Sequence, residues 1–338
     1  MAIMTTGAYE DLYNLVDMTL EEMDFSIPAE MVRAGLFNEE SKPNHTGKYA
    51  RFEEFSTEEY AHKKAEGEAA HKFRSVIGYA IDAELQRAAE NVEYTYEADN
   101  YDKYSTADFV ITAALESLTN TFDLDMQLRL SYMTATSYVD AQGNTVSTVV
   151  GDGLALLSTA HTLLASSATY RNILAGNPKF SRGALEAMVK MWNENTVNHF
   201  GQKLGRKANV IWSTDEPTTC NAIRELLFST SSVLTGVNSG VTNVYKNNME
   251  HVQLSRVNVD ANGIPDSTKD YYWGIVYKGR KGWQAKYAIN EPARMMKLAP
   301  SNHYDVNTDT YIWPVRMGYF ITILSGQFFA GSKGNGDA

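Results

Sequence analysis

The chain has 338 residues, of which 43% are hydrophobic and 21% charged. That is an ordinary globular composition, long enough for about two domains with cores of their own. Its single cysteine, Cys220, excludes an internal disulfide framework and any multi-cysteine zinc site. Thirty Lys and Arg against forty-one Asp and Glu give a net charge of −11, without the positive footprint of a sequence-independent nucleic-acid binder.

The apolar runs, such as Tyr319–Leu324, are far shorter than a membrane span of about 18 residues. The start lacks the basic and apolar regions of a signal peptide, so a cytosolic product is expected. The acidic excess is confined. Residues 1–100 hold 21 acidic and 9 basic residues, net −12, while the remainder is near neutral. That excess reads either as a solvated acidic surface or as an acidic arm lying on a neighbouring subunit.

In chain order, residues 1–45 read as an arm with little core of its own, carrying a short helix near 8–23. Residues 46–82 read as a long hairpin. Gly47–Phe55 and His71–Ile81 form its strands, and the charged stretch Glu58–Glu68 forms its tip. An isolated two-stranded hairpin is marginal in water, so this one needs support from elsewhere, such as another chain.

Ser105–Asp108 resembles a capping box, and no proline or glycine interrupts residues 105–135. Ile111, Leu115, Leu118, Phe122 and Met126 recur at helical spacing, which predicts a spine helix of roughly 45 Å. Asp140–Asn144 is a turn closing a short hairpin. Ser181 caps a helix to about Thr196. Ala208–Trp212 is a buried strand, and Asp215 and Pro217 open a third helix. Gly236–Val244 is a loop. Val252–Val259, Tyr271–Tyr277, Trp283–Ile289, Tyr311–Val315 and Met317–Leu324 are strands, and the tail Gly331–Ala338 is expected to fray. The fold class is α+β.

Catalytic patterns are missing. Gly201–Lys207 lacks the spacing of a phosphate-binding loop, and no G-x-S-x-G or H-E-x-x-H occurs. Ser158 and His161 stand three apart, a spacing that rarely puts a base in reach of a nucleophile, so a hydrogen-bonded turn is expected. Asp260–Asp266 alternates oxygen side chains but lacks the glycine and twelfth-position glutamate of a calcium loop. The seven histidines offer no pair at i,i+4. Cys220 near a helix start reads as a buried structural cysteine. No catalytic residue, cofactor or metal is expected. Tyr outnumbers Phe 20 to 13, a composition that suits surfaces buried on one side and wet on the other.

From Gly151 onward, the stretch Gly151-Asp152-Gly153 through Ser158 to His161 resembles the tailed-bacteriophage major capsid proteins of the Hong Kong 97 type. Asn172–Leu174, Phe180–Glu186 and the strand and helix of Val210–Phe228 follow in the family's order. The resemblance implies an N-terminal arm (1–45) and an extended loop (46–82). It implies a peripheral domain (83–150 and 291–338) containing the spine helix, and an axial domain (151–290). It makes Leu12, Leu15, Phe52, Phe55 and Tyr60 of the arm and loop contacts to neighbouring subunits. It further implies self-association in pentamers and hexamers, with a scaffolding protein, a portal and decoration proteins as further partners. The packaged double-stranded DNA would be enclosed without specific binding, the location would be the virion after assembly in the host cytoplasm, and no membrane would be involved. A compartment shell of the encapsulin type and a soluble enzyme are the alternatives.

Overall fold

The computed structural model describes residues 30–40, 44–95, 106–230, 243–279, 285–295, 304–305 and 310–336. The predicted helix near 8–23, the capping residue Ser105, most of the loop at 236–244 and the turn at 280–282 lie outside the described residues.

In chain order the elements are α1 (Glu30–Arg33), β1 (Asn38–Glu39), β2 (Asn44–Thr46), β3 (Tyr49–Thr57), β4 (Ser75–Glu84), β5 (Gln86–Thr95) and α2 (Thr106–Ser131). Then come β6 (Ser137–Val139), β7 (Thr145–Ser147), β8 (His161–Thr162), β9 (Thr169–Tyr170), α3 (Arg182–Asn195), β10 (Val210–Thr214) and α4 (Pro217–Phe228). The last are β11 (Glu250–Leu254), β12 (Trp273–Val276), β13 (Ala285–Met295), β14 (Tyr304–Asp305), β15 (Thr310–Ile323) and β16 (Phe329–Ser332). The chain groups into two compact units. Of the described residues, one holds those within 84–125 and 288–320; the other holds those within 30–83, 126–287 and 321–336.

In the first unit, β5 runs antiparallel to β15, from Gln86 opposite Tyr319 to Thr95 opposite Thr310. Sequence patterning left β5 unassigned because its alternation is diluted by Glu90 and Glu93. It also divided β15 at Arg316, two residues after Pro314. The strand runs through the proline, which stands opposite Asn91; one missing N–H costs one ladder bond and leaves the rest intact. The α2 residues of this unit bury Ile111, Leu115, Leu118 and Phe122. The Phe122 ring meets Tyr319 edge-on at 4.9 Å, the Tyr319 hydroxyl donates to Asp125, and Ser117 Oγ donates to Glu90 at 3.1 Å. The single face predicted for the helix is therefore a core face, and Leu118→Ala is expected to cost about 2–5 kcal/mol, read by chemical denaturation.

The second unit is built on the sheet β11-β10-β12-β16, in which only β10 and β11 are parallel. Every residue of β10, β12 and β16 is buried, as befits strands covered on both faces. Trp212 stacks on Phe329, and Trp273 meets Phe180 edge-on. The helix α3 begins where Ser181 accepts the Ala184 amide and buries Leu185, Met188 and Trp192. The helix α4 takes Glu216 as its cap, and Asp215 stands one residue outside it. The α2 residue Met126 is buried in this unit.

Two expectations are corrected here. The tail does not fray at Gly331, because β16 pairs with β12 and Ser332 Oγ donates to Pro178 O at 2.8 Å. The strand predicted over 252–259 stops at Leu254, and the chain then bends so that Val259 meets Pro265 in an isolated bridge.

Candidate functional site

Within the second unit, β2, β3 and β4 form a separate sheet in that order, and β3 and β4 are joined by the exposed stretch 59–74. This is a hairpin within the span 46–82, as the residue pattern predicts, with strands at Tyr49–Thr57 and Ser75–Glu84. Strand alternation puts Ala50, Phe52 and Glu54 inward and Tyr49, Arg51, Glu53 and Phe55 outward. Phe55, Phe73 and Ile77 are 67%, 64% and 65% exposed, and Tyr60 is exposed as well. Of the arm and loop residues singled out from the sequence, Phe52 is core and Phe55 and Tyr60 are exposed. Leu12 and Leu15 lie outside the described residues.

The root of the hairpin is tied to the body by polar contacts. Buried Glu54 faces buried His199 at 3.2 Å, and Tyr79 meets the His199 ring edge-on. Asn198 Nδ2 donates to Thr57 O, the Glu59 amide to Gln202 Oε1, and the Tyr60 hydroxyl to Lys203 O. The Tyr79 hydroxyl reaches Thr162 Oγ1 at 2.9 Å. Gly151 lies directly against the Tyr79 side chain and donates its amide to Leu324 O, and a Cβ there would overlap Tyr79. The stretch Gly151–His161 is thus part of the hairpin's mount.

That stretch is ordered by one buried pair. His161 Nδ1 lies 2.8 Å from Asp152 Oδ2, and both side chains are closed to solvent. The same carboxylate accepts the amides of Leu154 and Thr162. Burial pushes the Asp152 carboxyl up, but the His161 hydrogen bond and charge, with those two amides, outweigh it and hold the group below the usual carboxylate range. Pairing of β8 with β9 sets His161 opposite Tyr170, and the two rings stack at 4.8 Å. Burial raises the Tyr170 hydroxyl far above its ordinary value. Gly153 supplies a left-handed turn residue at φ +79.

A Ser-His-Asp triad is not assembled from these residues. His161 Nε2 faces Leu156 O and Asn172 Oδ1, each at 3.2 Å, while Ser158 Oγ accepts the Ala160 amide. Asn172 Nδ2 donates to Leu156 O and Gly326 O, and a side chain at Gly326 would strike that amide. The cluster is a packed polar core in which His161, Asn172 and the Asp152 side chain are buried.

A second constellation, missed in the sequence, lies around the buried Ser213 and Cys220. Ser213 Oγ stands 3.0 Å from His251 Nε2 and 3.6 Å from Cys220 Sγ. Burial, with Arg224 nearby, lowers His251 to about 4, and burial raises the Cys220 thiol. Neither group suits nucleophile activation, and Cys220 is the structural cysteine expected. In the turn at 260–266, Asp260 Oδ1 accepts the amides of Asn262 and Ile264. The buried Lys269 ammonium donates to Val259 O and stands 3.4 Å from Asp266. A lysine supplies the positive charge that a calcium ion would bring. Among the described residues no helix is long and apolar enough to cross a membrane.

No protein-family profile and no curated protein sequence matches the chain. Solved structures do. A chain of the capsid of Myoviridae phage XM1 aligns over 93% of this chain and 97% of its own, with a TM-score of 0.51 at 10% identity. The capsid structure of cyanophage P-SCSP1u aligns over 88% and 85%, with a TM-score of 0.50 at 12% identity. The capsid of Ralstonia phage GP4 aligns over 88% and 86%, with a TM-score of 0.50 at 9% identity. Sequence divergence on this scale erases residue matching while the packing pattern persists. The chain has the α+β fold of tailed-phage capsid proteins, the Hong Kong 97 type.

Proposed function

We propose that this chain is the major capsid protein of a tailed bacteriophage, a structural subunit that self-assembles into the shell around a double-stranded DNA genome. The observation that carries the reading is the extended hairpin on a capsid-type fold: it is tied to the body by polar contacts, and among the described residues its Phe55, Phe73 and Ile77 side chains are left exposed. Head-to-tail contacts of that kind close into rings when the rotation allows, which gives pentamers and hexamers. In this reading 1–45 is the arm, 46–82 the extended loop, 83–150 with 291–338 the peripheral domain and 151–290 the axial domain. A scaffolding protein, a portal and decoration proteins are the further partners, the virion is the location, and the enclosed DNA is held without specific contacts.

Negative-stain electron microscopy of the purified chain tests the reading. Closed shells, tubes or ring-shaped capsomers are expected, and shells filled with protein in place of DNA would move the assignment to a compartment shell. The arm has a testable boundary. Met31, Leu36 and Phe37 are buried, and Glu30 accepts from Gln127 and Ser255. Deleting 1–45 would therefore remove core. Deleting 1–29 is expected to leave a folded body, judged by circular dichroism, that no longer forms shells. Normal shells from that truncation would refute the arm's role.

A further inference from the structure

The tip of the extended hairpin brings together three groups that linear spacing of the histidines did not reveal. Glu58 follows β3 and its side chain is closed to solvent, while the His62 and His71 side chains are 49% and 40% exposed. Glu58 Oε1 lies 3.9 Å from His62 Nε2, and Oε2 lies 3.5 Å from His71 Nε2. The two imidazole rings lie 3.7 Å apart, tilted by 38°. One donor atom from each of the three residues falls within 4.8 Å of the other two, the one such cluster among the described residues.

Two imidazole nitrogens and a carboxylate oxygen are the donor set of a three-ligand zinc site with an open fourth position. Zinc bonds of about 2.0–2.1 Å would bring the donors to ~3.3 Å from one another. The His62 and His71 side chains, 49% and 40% exposed, are the parts of the cluster free of surrounding packing to make that adjustment.

The carboxylate is already oriented. Arg74 Nε donates to Oε1 at 2.7 Å and the Arg74 amide to Oε2 at 3.2 Å, while the Glu58 amide donates back to Arg74 O. Each oxygen keeps a lone pair for a metal. The Arg74 guanidinium and backbone amide thus stand behind the carboxylate as its outer partners. Such outer partners fix ligand orientation in known metal sites.

We propose that Glu58, His62 and His71 form a zinc site that clips the tip of the extended hairpin, with water in the fourth position. The ligands bracket residues 63–70, an exposed stretch without regular structure that carries Lys63, Lys64, Glu66 and Glu68. Closing it with a metal removes conformational freedom before the hairpin meets a neighbour, and so lowers the entropic cost of ordering it there.

The test uses the full chain and the metals alone. Cobalt(II) is titrated and followed by its visible absorption, then displaced by zinc. One cobalt per chain with a four- or five-coordinate spectrum is expected. His62→Ala and His71→Ala should each weaken binding by at least about tenfold, the scale at which even outer partners act. Both histidines are exposed, so the variants should keep the wild-type circular dichroism. Zinc should also slow tryptic cleavage after Lys63 and Lys64 in the wild type and in neither variant. Equal binding by the wild type and the double variant, no binding at micromolar metal, or cleavage indifferent to zinc would overturn the site and leave an ordinary packing of imidazoles on a carboxylate.

Discussion

Replacing His161 with alanine is expected to destabilise the protein by about 3–5 kcal/mol, the range for removing one partner of a buried charged pair. Three losses coincide. The Asp152 carboxylate keeps only the Leu154 and Thr162 amides inside a closed pocket. The Tyr170 ring loses its stacking partner, and Leu156 O and Asn172 lose a polar neighbour. Such a loss lowers the melting temperature by on the order of 10 °C in a protein of this size.

The pH dependence carries a sign. His161 depresses Asp152, so its contribution is fully present above the ordinary carboxylate value and disappears as pH falls through the lower folded-state value. The gap between wild type and variant should therefore be widest near neutrality and narrow in acid. Urea denaturation at pH 7 and at successively lower pH measures both. A variant within about 0.5 kcal/mol of wild type at pH 7, the range of an unremarkable surface change, would show that the pair does not organise the mount.

The second large effect is on assembly and leaves the subunit fold alone. Phe55→Asp and Ile77→Asp place a carboxylate at positions that are open in the subunit. Subunit stability should change by no more than about 0.5 kcal/mol. If the hairpin face is covered by a neighbouring copy, each substitution buries an unpaired charge at every repeat of the contact. A central apolar anchor in an interface is worth about 2 kcal/mol or more on truncation, and an unpaired charge costs further. Shells and capsomers should vanish from sedimentation profiles at concentrations where the wild type assembles. Wild-type assembly by both variants would place that face in solvent.

The two units differ in how much of their packing was legible. The spine helix was, because its period, an uninterrupted run and its apolar face are all local signals. The helix α3 was legible for the same reason, down to its serine cap. The hairpin at 137–147 was visible because Asp140 Oδ1 accepts the amides of Gln142 and Asn144 within the turn itself. In the mount, the Gly151–His161 stretch was singled out by resemblance, and the spacing of Ser158 and His161 pointed to a hydrogen-bonded turn. What completes the cluster could not be read there: Asn172 and Gly326, which close the pocket, come from distant segments.

The sequence by itself determined α2, α3 and α4, the turn at 140–144, the exposed hairpin and the absence of familiar catalytic patterns, because each is written in residues a few positions apart. Only the tertiary structure decided the strand partners and the polar clusters. The tail becomes a buried strand through pairing with residues 273–276, and β5 is a strand because residues 310–319 lie against it. Pairing energy of this kind belongs to neither segment alone, and so leaves no local signature in either. The Glu58, His62 and His71 cluster has the same origin. His71 arrives at Glu58 only when β4 returns along β3, and an extended chain of that length would keep the two far apart.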